Sequence, residues 1–227
     1  MLSQDERLDA FALLSRHRLI PIATFPDESS ALRVAELLAE HSLGVLEITL
    51  RSDAALACVA AVRKRFPGLL VGAGSVLDVE SLKKAAGAGA GFCMSPCVDR
   101  GVMDAARDAG VLFIPGIATP TELCAALNAG ARAVKIFPAD TLGGPRYVAS
   151  LVPPFAARDF GLVITGGVTA DNFLSYMANP RVIACGTSRL ADPELIVAGR
   201  YDELSAKMKA YAALCRSLDE RPISSTP

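Results

Sequence analysis

Lys135 stands inside the apolar run Ala133-Val134-Lys135-Ile136-Phe137-Pro138, and it is the residue whose setting points most directly to chemistry. In an extended run side chains alternate, so Lys135 shares a face with Ala133 and Phe137 while Val134 and Ile136 point the other way. An ammonium is costly to desolvate, and burial without a partner favours the neutral amine. A neutral amine is a nucleophile toward a carbonyl carbon. The competing reading is structural: the side chain snorkels to a rim or pairs with a core carboxylate.

A second apolar run changes the balance. In Val45-Leu46-Glu47-Ile48-Thr49-Leu50-Arg51 the same alternation aligns Glu47, Thr49 and Arg51 on one face. Three polar groups turned inward are expensive as packing alone. They match the needs of imine chemistry: a carboxyl group to shuttle protons and a planar cation to hold a substrate carboxylate. A structural ion pair from Glu47 to Arg51 or Lys135 is the alternative.

Glycine-rich turns close two further runs. Ile164-Thr165-Gly166-Gly167-Val168 leads into a helical pattern near Thr169, and Cys185-Gly186-Thr187-Ser188 leads into another. Free backbone N–H groups at such turns, with the positive end of a helix dipole, can hold a phosphate. Gly72-Ala73-Gly74-Ser75 adds a small hydroxyl at a third run's end.

The elements that must carry these groups alternate along the whole chain. Apolar runs occur at 20–25, 45–50, 69–74, 92–96, 113–117, 133–139, 162–167 and 182–187, with amphipathic helical patterns between them. Runs apolar on both faces must be covered on both faces, and repeated βα units impose parallel strands with right-handed crossovers. The count predicts an α/β fold, a single (β/α)8 TIM barrel occupying residues 1–227, preceded by an extra N-terminal helix within 1–17 and followed by a polar tail at 219–227. An open doubly wound sheet is the alternative, but GAGSVL lacks the last glycine and the ribose-binding acid of a dinucleotide fingerprint. In a barrel the chemistry belongs at the C-terminal mouth, where the polar residues above fall.

Composition narrows the partner. With 227 residues, 52% hydrophobic and a net charge of −1, the chain is sized for one core and has no basic footprint for nucleic acid or anionic membrane. No apolar run reaches the roughly 18 residues of a membrane span, and the charged first residues show no signal-peptide core, so a cytoplasmic location is expected. Six cysteines without a CxxC pair and only two histidines predict reduced, mostly buried thiols and no metal site. His17 and His41 fall at helix ends, where capping or solvent-facing roles are expected. No cofactor is expected, and the partner is a small molecule.

Six pieces together resemble a known family, the 2-keto-3-deoxy-6-phosphogluconate (KDPG) and 4-hydroxy-2-oxoglutarate (KHG) aldolases. They are LEITLRS (46–52), GAGSVL (72–77), Ser95-Pro96, IPGIATPTE (114–122), VKIFPA (134–139) and ITGGV (164–168), within a likeness spanning about Ile20 to Leu190. The resemblance implies that Lys135 forms the Schiff base, Glu47 is the general acid/base and Arg51 holds the 2-keto acid carboxylate. Ser75 would contact the pyruvate portion where the family commonly has threonine. Pro96, Phe137 and Thr165 would line the pocket, and Gly166, Gly167, Gly186, Thr187 and Ser188 would surround the phosphate. It also implies a homo-oligomer, a trimer. Thr187, Arg189 and Cys97 depart from the family pattern, where glycine, tryptophan and glycine are usual. Arg51 and Thr165 favour the gluconate substrate over its galactonate analogue. The alternatives are a KHG or galactonate aldolase, or a barrel that binds sugar phosphate without catalysis.

Overall fold

The computed structural model describes residues 4–219. Nine parallel strands form one sheet that curls into a nearly closed barrel: β1 (Leu19–Ala23), β2 (Val45–Thr49), β3 (Leu70–Gly74), β4 (Phe92–Met94), β5 (Leu112–Ile114), β6 (Gly116–Ile117), β7 (Ala133–Ile136), β8 (Gly161–Thr165) and β9 (Val182–Thr187). Helices separate them: α1 (Gln4–His17) precedes β1, followed by α2 (Glu28–Glu40), α3 (Ala55–Arg65), α4 (Val79–Gly87), α5 (Arg100–Ala109), α6 (Pro120–Asn128), α7 (Gly144–Leu151) and α8 (Ala170–Met177). After β9 come the short α9 (Pro193–Val197) and the long α10 (Tyr201–Asp219). The extra N-terminal helix is therefore present, whereas the expected polar tail beyond Asp219 lies outside the described residues.

The sequence predicts eight strands, and the ninth arises where the sheet closes on itself at a proline. The sheet order runs β5-β4-β3-β2-β1-β9-β8-β7-β6, so its two ends are chain neighbours separated only by Pro115. Proline has no N–H to give a ladder. The strand consequently changes partner at Pro115: Leu112–Ile114 pairs with β4, Gly116 and Ile117 pair with β7, and the Pro115 carbonyl accepts the Lys135 N–H at 2.8 Å. One expected strand becomes two segments that bring the sheet edges together.

Alternation then sorts the side chains. Ile20, Val45, Phe92, Ile114, Ala133 and Val163 fill the barrel interior, with Leu14 of α1 packed into the same cluster as a cover for its base. Leu46, Ile48, Val134 and Ile136 point outward into the layer between strands and helices. Lys135 therefore projects inward with Ala133, as the period of two requires. The chain enters α2, α4, α5 and α6 through capping side chains of Asp27, Asp78, Asp99 and Thr119, which accept backbone N–H groups of the first turn. Such caps fix where each helix starts and so how far each strand-to-helix loop reaches over the mouth.

Among the described residues no helix is long and apolar enough to cross a membrane. Cys58, Cys93 and Cys185 are buried free thiols, but Cys97 and Cys124 are exposed, so burial holds for only part of the cysteine set. Both exceptions stand in segments that face solvent: Cys97 in the loop after β4, and Cys124 on α6. His41 caps the end of α2, and its Nε2 lies 2.8 Å from Ser205 Oγ.

Candidate active site

At the C-terminal mouth lies a cavity of about 450 Å³, and all twelve residues singled out from the sequence border it. Glu47 on β2 is 1% exposed and Lys135 on β7 is 7% exposed. Both are inside the wall, on strands separated by β1, β9 and β8 in the sheet order. Lys135 Nζ sits 5.2 Å from the centre of the Phe137 ring, which itself borders the opening. Among the described residues no ion pair joins Glu47 to Lys135 or Arg51 within 4.0 Å. Glu47 Oε2 is buried without a hydrogen-bond partner.

Burial pushes the Glu47 carboxyl above its ordinary value, against the opposing pull of the Lys135 and Arg51 charges. A carboxyl held in this way keeps its proton to higher pH than a free one, which suits it to give as well as take a proton. Room for it comes from β3. A Cβ built on Gly74 would stand 1.8 Å from Glu47 Oε1, so only glycine at this point lets the carboxyl lie flat against the neighbouring strand. Ser75 follows with φ of 60°, a left-handed conformation that is uncommon outside glycine and turns the chain off β3 at the cavity edge.

Arg51 is where the structure departs from the expected alternation. β2 ends at Thr49, and Arg51 lies exposed in the following turn instead of projecting inward with Glu47. Ladder pairing with β3 stops at Thr49 opposite Gly74. The guanidinium thus stays near water, where its charge costs less to keep. It reaches back over the mouth: Nε donates to Thr49 Oγ1 and an Nη to Thr24 Oγ1, both at 3.2 Å, while the two hydroxyls are 2.7 Å apart. Thr24 was not singled out from the sequence. Its signal was present, because alternation along Ile20, Ile22 and Thr24 places it on the inward face, just past the end of β1.

The other end of the cavity is made by the turns after β8 and β9. Gly166 and Gly167 have φ of 88° and 85°, and a Cβ on Gly167 would lie 2.2 Å from Asp140 Cβ. No larger residue fits there, so a charge intended to probe this turn has to be introduced elsewhere. Thr165, 1% exposed, ends β8 below the turn. Thr187 ends β9, with Gly186 before it and Ser188 beyond it. The Thr187 hydroxyl donates to the Val168 carbonyl at 2.8 Å and accepts the Arg189 N–H at 3.3 Å. Its proton is already committed, so Thr187 acts here as a strut between the turns. Pro96 completes the wall after β4, its backbone packed against Gly116. Arg189 and Asp192 also border the cavity.

Among the described residues no three His, Cys, Asp or Glu side chains gather closely enough to hold a metal ion. What the arrangement can do is bind an elongated anion. The lining sets a cation, Arg51, the Lys135 and Glu47 side chains, and the glycine turns along one cavity, a set chemically suited to a carboxylate, a carbonyl carbon and a distal anionic group.

Comparison with known proteins agrees with this geometry. The KDPG and KHG aldolase family model matches residues 11–207. A 2-dehydro-3-deoxy-phosphogluconate aldolase of Treponema pallidum is 38% identical over 86% of this chain and 92% of its own length. A KHG/KDPG aldolase of Escherichia coli K12 is 31% identical over 88% of this chain and 92% of its own. Among solved structures, a KDPG aldolase of Legionella pneumophila, with pyruvate captured as a covalent carbinolamine intermediate, superposes with a TM-score of 0.83 at 28% identity. That match covers 88% of this chain and 97% of the other.

Proposed function

The chain belongs to the KDPG and KHG aldolase family, and on that premise we propose that it cleaves 2-keto-3-deoxy-6-phosphogluconate into pyruvate and glyceraldehyde 3-phosphate through a Schiff base on Lys135. The observation that carries this reading is the placement of Lys135 and Glu47, both buried on the wall of one cavity without an ion pair between them. Once it has given up its proton, the Lys135 amine adds to the C2 ketone, and the carbinolamine loses water to leave an iminium. The iminium takes up the electron pair of the breaking C3–C4 bond as a base removes the C4 hydroxyl proton. The aldehyde departs and an enamine remains. Protonation at C3 and addition of water then release pyruvate and restore the amine. Glu47 moves the protons, and its buried Oε2 has no hydrogen-bond partner in the fold to compete with that role. Arg51 holds the carboxylate, and Ser75, Pro96, Phe137 and Thr165 shape the pyruvate end. The N–H groups at Gly166, Gly167, Gly186, Thr187 and Ser188 supply the phosphate end.

Borohydride reduction in the presence of pyruvate, followed by peptide mass mapping, tests the assignment. A pyruvyl adduct at Lys135 is expected, and turnover should persist in EDTA. A label on Lys83, Lys84 or Lys209 instead, or turnover that depends on added divalent metal, would overturn it.

A second reading, cleavage of 4-hydroxy-2-oxoglutarate, is favoured by one feature of the distal end: the Thr187 hydroxyl is spent on the Val168 carbonyl, which leaves a phosphate one side-chain donor fewer. Relative kcat/KM on the two aldols decides between them. The family resemblance further leads us to read the protein as a homotrimer, which light scattering would test by mass.

A further inference from the structure

The distal end of the cavity has a charge problem that its glycine turns do not solve. Asp192 borders the cavity, Asp171 stands in the first turn of α8, and Asp140 packs against the Gly167 turn. One carboxylate on the cavity wall, with two more in the neighbouring segments, opposes an anionic group there unless positive charge offsets it. Asp192 is largely answered within the fold. Its Oδ1 accepts the Glu194 N–H at 3.0 Å and its Oδ2 lies 3.6 Å from Lys207 Nζ on α10. The Thr187 hydroxyl proton belongs to the Val168 carbonyl, so that side chain offers no donor to a ligand. Among the described residues one cationic side chain borders this end of the cavity: Arg189, directly after the Ser188 turn. Its backbone N–H is pinned on Thr187 Oγ1, which fixes the root of the side chain, while the residue as a whole is exposed.

We infer that Arg189 is a specificity-determining residue that grips the anionic far end of the substrate, supplementing the backbone N–H groups with a planar, charge-assisted fork. The inference rests on the aldolase reading above for the substrate, but not for the binding of an anion. Guanidinium suits the task because it presents several donors in one plane and keeps its charge at any working pH. The same chemistry serves two termini, the phosphate of a phosphorylated aldol and the second carboxylate of 4-hydroxy-2-oxoglutarate. Phosphate, with more charge and a third oxygen, gains more from it.

The test compares the parent, Arg189→Gln and Arg189→Lys on three aldols: phosphorylated, dicarboxylic and neutral-ended. Arg189 is exposed, so its loss should leave folding intact, and its effect is reduced by solvent screening. The ratio of kcat/KM for the phosphorylated aldol over the neutral-ended one is expected to fall about tenfold in Arg189→Gln, the low end for a charge-assisted hydrogen bond. It should recover only in part in Arg189→Lys, and it should fall in the parent as salt is raised. A larger drop for the dicarboxylic than for the phosphorylated aldol would assign the residue to the carboxylate terminus. An unchanged ratio, whether through no loss or through equal loss on all three, would overturn the proposal. Titration of inorganic phosphate followed by phosphorus NMR gives a readout without turnover, and weaker binding by Arg189→Gln is expected. Phosphate binding that depends on Arg189 in a protein that never traps pyruvate would sink the Schiff-base reading alone. Trapping at Lys135 with phosphate binding indifferent to Arg189 would sink this one alone.

Discussion

The two ends of the cavity are built from different materials. At the Lys135 end the working groups are side chains on strands, Glu47 and Lys135 buried at 1% and 7% exposure and held by ladder pairing on both sides. At the far end they are turn backbone and exposed side chains after β8 and β9, with Ser188 and Arg189 open to solvent. On the proposed reading, strand positions fix the nucleophile and the proton carrier within the small tolerances that bond making requires. Turns outside the ladder tolerate substitution, so selectivity can change there without disturbing the reacting atoms. The division predicts that damage at the strand end abolishes cleavage of every aldol, whereas damage at the turn end changes only the ranking of aldols.

The sharpest break is at the nucleophile. Lys135→Met keeps a buried chain of similar length without the amine, so turnover should fall to background on phosphorylated and unphosphorylated aldols alike, with no pyruvyl adduct after borohydride. Any adduct-dependent turnover left in that variant would move the chemistry off β7. Glu47→Gln comes next, with an expected loss of roughly 10²–10⁴-fold in kcat, typical of lost general acid–base catalysis, while slow trapping of pyruvate survives. A turnover within a few-fold of the parent would remove Glu47 from proton transfer.

The same variant carries a stability signature. Burial raises the Glu47 value in the folded state, so its contribution is most favourable below the unfolded carboxylate value of about 4.3 and is lost as pH rises through the raised folded one. The Tm of Glu47→Gln minus that of the parent should therefore grow as pH climbs from the carboxylate range toward neutrality. A difference that shrank over that range would contradict a raised carboxyl.

At the turn end, Ser188→Asp adds a carboxylate at an exposed position bordering the cavity. It should reduce kcat/KM for the phosphorylated aldol about tenfold, the scale of one partly screened like-charge contact. The unphosphorylated aldol should be affected much less. Equal losses on both would erase the division between the two ends. The smallest effect is expected at Thr24→Val, which removes one of the two hydroxyls holding Arg51. KM for the 2-keto acid should rise twofold to tenfold, the worth of a net hydrogen bond of about 0.5–1.5 kcal/mol, with kcat little changed and Thr24→Ser restoring the parent. A fall in kcat instead would place Thr24 in the chemistry itself.

Much of this arrangement was legible in the residues. The eight apolar runs, their βα order and the period of two along β2 and β7 specify a barrel with Glu47 and Lys135 turned inward, because alternation and two-sided burial are local rules that each run obeys by itself. The ITGGV and CGTS turns likewise announce tight, glycine-bearing backbone at the ends of β8 and β9. Three features had no such local rule. β2 ends at Thr49 because its ladder partner ends at Gly74, so the placement of Arg51 outside the strand was settled by another segment. The division of the fifth run at Pro115 depends on the sheet returning to meet itself, a closure that involves both its edges. The engagement of the Thr187 hydroxyl by Val168, and of Asp192 by Lys207 from α10, joins groups far apart in the chain. The sequence by itself determined which side chains face the interior, since that follows from one dihedral repeat. Only the tertiary structure decided which polar groups were already satisfied and which were left for a substrate, since satisfaction depends on distances between segments that no local pattern encodes.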